Sequence, residues 1–297
     1  MDYLLNYLDE YSHFYPDVWK KYDFFRSMKG KDIPDWPDWC YCPLSVAYSI
    51  EADVARRANI PKSQIVPDIG NLGALAAWRM NKTVYRFSPV LLDALSKSNI
   101  KQIPVNALYN MPSWCVYIDV GNFDWGIPNL RGWFAYLDWD IKKEEPELRF
   151  TFDTDKGLVP CMINLSNPYL SGCLEDTIKE SLGHLSLRQM IIVPQREEFH
   201  HFSKFISLYL AALLYLCSVD PDVTPKNTRS PHPNYPYRTI MRLKVGFHPE
   251  IPKNSTEIHQ KPYIRKAHWH MYRVGPGRKG TALRWINPTM VGFNKPI

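Results

Sequence analysis

The sequence predicts an α+β protein with a helical N-terminal layer, an antiparallel sheet flanked by helices, and a basic C-terminal β-hairpin as part of that sheet. Three observations lead there. Helical patterns fill the first hundred residues, runs with strand alternation begin near residue 111, and two strand-like runs enclose a glycine-rich turn within 261–286. The chain divides accordingly into a mostly helical region over 1–110, a strand meander plus two helices over 111–222, and a proline-rich loop with the hairpin over 223–297, packed on the same core.

Residues 1–30 read as one or two helices with an aromatic face, Tyr3, Leu4, Tyr7 and Leu8 followed by Trp19, Tyr22 and Phe25. Asp32 to Pro43 carries three prolines and two tryptophans and is a loop. Helical patterns follow at 44–58, 69–80 and 88–97, the last with Ser88 as N-cap and Pro89 at the first helical position. Trp114–Val120, Gly132–Ile141, Glu147–Phe152 and Leu158–Leu165 read as strands, the last two joined by the turn Asp153–Gly157. Two helices are expected at 173–190 and 196–218. The most apolar run, Phe205–Val219, covers about 15 residues where a membrane span needs roughly 20, so it reads as a buried helix. Val219–Thr239 contains five prolines and reads as a loop or hinge, and Tyr237–Phe247 is an ambiguous strand.

Charge is unevenly distributed. Residues 1–222 hold 28 acidic and 22 basic side chains, whereas 223–297 hold 14 basic and two acidic ones, Glu250 and Glu257. Such asymmetry points to a polyanionic partner, or to a basic segment that packs against the acidic remainder. The six cysteines are scattered through mostly apolar runs, and Cys40-Tyr41-Cys42 is too tight for a zinc pair, so reduced, buried thiols are expected. The opening Met-Asp-Tyr-Leu-Leu-Asn lacks the basic start of a signal peptide, and a cytoplasmic protein without cofactor is expected.

The hairpin carries the chemistry. Alternation gives Lys266–Tyr272 one apolar face, Ala267, Trp269 and Met271, and an opposite face of Lys266, His268, His270 and Tyr272. If Leu283 and Trp285 share the apolar side, Arg284 joins the histidines. The His-x-His pair could bind a metal given a third ligand, which neither His248 nor His259 announces by spacing. It could act as general acid and base on RNA with a cation stabilising the phosphorane. It could contact RNA with Tyr272 as a stacking platform, or be a structural pair. The loop Gly275–Gly280 could hold a phosphate through its amides, Arg278 and Lys279, or be a mobile tip. Asp119, Asp138, Asp140, Asp153 and Asp155 suit a metal-dependent nuclease, although turns favour Asp for conformational reasons alone. The aromatics between Trp114 and Trp139 read as core or as a groove for an apolar peptide.

The segment Lys261–Gly292 (KPYIRKAHWHMYRVGPGRKGTALRWINPTMVG) resembles the C-terminal signature of the AcrVA-two family of phage-encoded type V-A anti-CRISPR proteins. AAWRMNKTVYRF at 76–87, MPSWCVYIDV at 111–120 and LAALLYLCSVDPDV at 210–223 resemble it in the same order, and FDTDKGLVP at 152–160 fits loosely. The resemblance implies an inhibitor of the type V-A CRISPR effector nuclease that recognises its N-terminal polypeptide during translation and causes loss of the encoding mRNA. On that basis the peptide is expected on Trp114, Tyr117, Trp133 and Tyr136. Contact with mRNA or a ribosomal partner is expected from Arg265, Lys266, His268, His270, Tyr272, Arg273, Arg278, Lys279 and Arg284. The competing expectation is an autonomous, toxin-like ribonuclease with His268 and His270 as acid and base.

Overall fold

In the computed structural model of the chain, residues 3–58, 69–183, 196–225, 240–247 and 263–291 are described. Four helices, α1 (Tyr3–Phe14), α2 (Val18–Met28), α3 (Leu44–Ala58) and α4 (Ile69–Trp78), cover one face of a seven-stranded sheet. Every residue of α4 (IGNLGALAAW) is buried. Its small residues let it lie close on the strands: a methyl added at Gly73 would come within 2.7 Å of the Tyr136 hydroxyl.

The sheet is built from β1 (Thr83–Phe87), β2 (Cys115–Asp119), β3 (Leu130–Asp140), β4 (Glu145–Thr154), β5 (Gly157–Asn164), β6 (Val223–Pro225) and β7 (Met241–Val245). Its order is β5-β4-β3-β2-β1-β7-β6. The second face is covered by α5 (Pro89–Ser96), a 3-10 helix (Val105–Asn110), α6 (Leu170–Gly183) and α7 (Arg196–Cys217). Ser88 caps α5 as the sequence predicts, its hydroxyl accepting from the Leu91 amide at 3.2 Å. The apolar run in α7 is interior from Leu208 to Cys217, and among the described residues no helix is long and apolar enough to cross a membrane.

The α+β class holds, with two differences in detail. The sheet is mixed, not antiparallel, because β1 pairs in parallel with both β2 and β7. The return from β1 to β2 passes through α5 and the 3-10 helix, a crossover that a parallel pair requires. β1 is buried at four of its five positions and therefore lacks the alternation that marks a half-exposed strand. The second difference is that the C-terminal hairpin, β9 (His268–Val274) with β10 (Gly280–Ile286), is a separate two-stranded ribbon. A further short pair joins β8 (Tyr263–Arg265) to β11 (Thr289–Val291). The ribbon's single apolar face is satisfied by packing on the helical layer, so it needs no sheet edge. Of the expected helix 173–190 and loop 219–239, residues 184–190 and 226–239 lie outside the described residues.

Alternation sorts the sheet residues into two cores. Val116, Ile118, Trp133, Ala135 and Leu137 face α5–α7, while Cys115, Tyr117, Phe134 and Tyr136 face α1–α4. The first core centres on aromatics: Trp133 meets Tyr209 edge-on at 4.9 Å, and Trp125 lies 5.2 Å from the same ring.

Candidate peptide cleft and nucleic-acid interface

The hairpin register settles which residues share a face. Met271 lies opposite Leu283 and Trp269 opposite Trp285, and these side chains, with Ala267, pack on the core of α5–α7. Trp269 and Trp285 meet edge-on at 4.7 Å, the Trp269 indole donates to the Ser98 hydroxyl at 3.1 Å, and the Val219 amide donates to the Leu283 carbonyl at 2.9 Å. The root of the ribbon is thereby fixed to the body.

The other face carries His268, His270 and Tyr272 on β9, with Ile286, Arg284 and Ala282 as their respective cross-strand partners. Alternation placed Arg284 on the histidine face provided the apolar rows are co-facial, as they are; the register adds that it lies opposite His270. The His268 ring places Nδ1 3.0 Å from the Lys266 carbonyl, and the His270 and Tyr272 rings meet at 4.3 Å with planes 60° apart. At the tip, the Arg278 amide donates to the Gly275 carbonyl at 3.0 Å across Pro276-Gly277, with Gly277 at φ +64°. Lys266, Arg273, Arg278, Lys279 and Arg284 are exposed, and none of the ion pairs among the described residues uses them. Arg273 sits on the core-facing side of β9 but beyond the core, opposite Thr281, and Arg265 lies on β8 opposite Thr289. Among the described residues no three His, Cys, Asp or Glu are grouped to hold a metal ion.

The carboxylates offered as a nuclease set are separate and engaged in the fold. Buried Asp138 accepts from the Leu44 and Trp139 amides at 2.9 and 2.8 Å and pairs with Arg149, thereby anchoring the start of α3. Buried Asp153 accepts from Tyr7 at 2.8 Å and Tyr117 at 2.9 Å and pairs with Arg131 at 2.7 Å. Tyr3 completes that cluster through Tyr117, 2.8 Å between hydroxyls. Burial pushes the Tyr3 hydroxyl up to about 12, and Tyr7 and Tyr117 are raised further by burial and the Asp153 charge. Asp119 pairs with Arg86, Asp140 accepts from the Lys142 and Lys143 amides, and Asp155 accepts from Asn129. The six cysteines are free and five are buried; burial raises Cys40, Cys115 and Cys217, which keeps them as thiols at neutral pH.

Of the four aromatics expected to face a peptide, three are interior. Tyr117, Trp133 and Tyr136 are 1%, 0% and 3% exposed, because β2 and β3 are covered on both faces and their alternation points into two cores instead of one core and solvent. Trp114, just before β2, reaches a cleft of about 390 Å³ together with Trp39, Tyr109, Met80, Met111 and Asp38. Trp39 stacks on Tyr109 at 4.9 Å with planes 8° apart and meets Trp139 edge-on at 5.9 Å. The Trp114 indole donates to the Asp38 carbonyl at 2.8 Å, and the Arg26 guanidinium lies 5.1 Å from its ring. Two stacked or clamped aromatic walls and two thioethers give the cleft a mostly apolar lining, with Asp38, Asn81 and Ser113 as its polar members. Sequence reasoning missed Trp39 and Tyr109. The signal was the loop 32–43, where prolines hold tryptophans on a stiff, irregular segment.

The chain thus combines a three-layer α+β body, a concave aromatic cleft and an exposed cationic ribbon. Comparison with known proteins is more specific. The model of the AcrVA2-like family, described as the anti-CRISPR type V subtype A2 family, matches residues 85–293, and the chain belongs to that family. The crystal structure of AcrVA2 has a similar fold, with a TM-score of 0.61 at 19% identity over 97% of this chain and 99% of that one. Protein FinQ of Escherichia coli is 24% identical over 166 residues, 50% of this chain. The chain spans about half the length of that curated relative, since the match covers 48% of FinQ.

Proposed function

We propose that the protein acts as an anti-CRISPR protein that captures the nascent N-terminal polypeptide of a type V-A effector nuclease and promotes loss of its mRNA during translation. The aromatic cleft beside Trp114 receives an apolar peptide segment, and the cationic hairpin faces mRNA or the ribosome. The observation that carries this reading is the presence of two dissimilar surfaces on one chain. The cleft is mostly apolar and held by internal contacts, while the hairpin cations have no carboxylate partner among the described residues. One surface suits a hydrophobic chain and the other a polyanion. Purified protein should recover translating ribosomes that display the effector's N-terminal codons and fail on ribosomes lacking them. Equal recovery from both would overturn peptide capture.

A second reading has its own support. His268 and His270 share the outer face of β9 with Arg284 across from His270, the residue types of a metal-independent ribonuclease. It predicts cleavage of naked RNA without ribosomes, abolished in the His268→Ala, His270→Ala double variant. Intact RNA in that assay leaves mRNA loss to another nuclease.

A further inference from the structure

The outer face of the hairpin has a pattern that phosphate neutralisation alone does not require. Three ring-bearing residues, His268, His270 and Tyr272, succeed one another on β9, and along a strand they repeat at about 6.8 Å. Their cross-strand partners are Ile286, Arg284 and Ala282, so the tyrosine lies beside a methyl group and the first histidine beside an aliphatic chain. Beyond Tyr272 the ladder ends in Val274 opposite Gly280. Tyr272 is 40% exposed, and the His270 and Tyr272 rings meet edge to face at 4.3 Å, forming one exposed aromatic step. Cations flank this row: Arg284 in the middle, Lys266 at the root, Arg278 and Lys279 at the tip.

We infer that this face binds single-stranded RNA by stacking unpaired bases on the exposed rings of Tyr272 and His270 while Arg284 and the flanking cations neutralise the phosphates. The inference rests on the RNA-facing reading of the hairpin and narrows it to one form of nucleic acid. Charge complementarity selects the polyanion, and the exposed aromatic step of His270 and Tyr272 selects unpaired bases. In a duplex the bases are stacked on one another, and proteins read double-stranded RNA by shape, 2′-hydroxyls and phosphates across two minor grooves. A ribbon with seven-residue strands, roughly 24 Å long, covers little of such a surface. One base per ring gives a stacked footprint of about two nucleotides.

The test is fluorescence anisotropy with the full chain, using a short oligouridylate, a blunt RNA duplex of equal length and an acidic peptide, each over a salt series. The oligouridylate should bind at least about tenfold more tightly than the duplex. Tyr272→Ala should weaken it by about tenfold with the salt slope unchanged, and Tyr272→Phe should retain binding. Arg284→Ala should reduce the slope of log affinity against log salt by about one. Equal affinity for duplex and single strand, or no effect of Tyr272→Ala while Arg284→Ala acts, would overturn stacking and leave RNA contact in place. Binding of the acidic peptide with neither RNA bound at low salt would overturn the RNA reading itself.

Discussion

The body and the hairpin use charge in opposite ways. In the body, Asp153 is fully buried and satisfied by two tyrosines and Arg131, and Asp138 is satisfied by two amides and Arg149. Those charges specify how α1 and α3 dock on the sheet. In the hairpin, Arg284, Arg278 and Lys279 hold nothing in the described fold. The contrast teaches that charge removal should cost stability in one region and binding in the other.

The largest effect should come from the body. Asp153→Ala leaves Arg131, Tyr7 and Tyr117 without their shared acceptor and should destabilise the fold by about 4 kcal/mol, read from urea unfolding. Next is the joint between the regions. Trp285→Ala removes a 7%-exposed ring from the ribbon's seat and should cost about 3 kcal/mol, with hydrogen exchange rising first in β9 and β10. High pH sharpens the contrast further. Tyr3, Tyr7 and Tyr117 are raised above the ordinary tyrosine value of 10.0, so the stability they confer is complete below pH 10 and is lost as pH rises through their folded values, Tyr3 first at about 12. Thermal unfolding followed from pH 9 to 12 should show that decline, and a Tyr3→Phe, Tyr7→Phe variant should flatten it. A smaller change belongs to the cleft. If the cleft takes the peptide as proposed, Trp39→Ala, which removes one stacked wall, weakens binding of the effector's N-terminal peptide by roughly tenfold in calorimetry, since such aromatic anchors dominate binding. The smallest stability effect, within about 0.5 kcal/mol, is expected for Arg284→Ala, and under the proposed RNA contact its loss appears in RNA affinity alone.

Much of this was legible from local pattern. Ser88-Pro89 marked the start of α5, alternation in Ala267–Met271 assigned the faces of the hairpin, and the apolar Phe205–Val219 run announced a buried helix. What escaped depended on distant partners. TVYRF at 83–87 is a central strand only because Cys115–Asp119 and Met241–Val245 flank it, and no window of sequence contains all three. The same cause misled the peptide site. Trp133 and Tyr136 point to opposite faces, and once both faces are covered neither is free. The cleft escaped because it is assembled from a loop at Trp39, the end of α4 at Met80 and a 3-10 helix at Tyr109.

The place of β1 in the sheet has a consequence for the order of synthesis. Its two neighbours flank it in parallel, and β7 lies roughly half the chain further along than β1. Until residues 241–245 leave the ribosome, β1, an interior strand of the finished sheet, is an edge open on its β7 side with buried-type side chains on both faces. The body therefore closes late in translation, after most of the chain has been made, and a holdase that shields Thr83–Phe87 during that interval should raise the yield of folded protein.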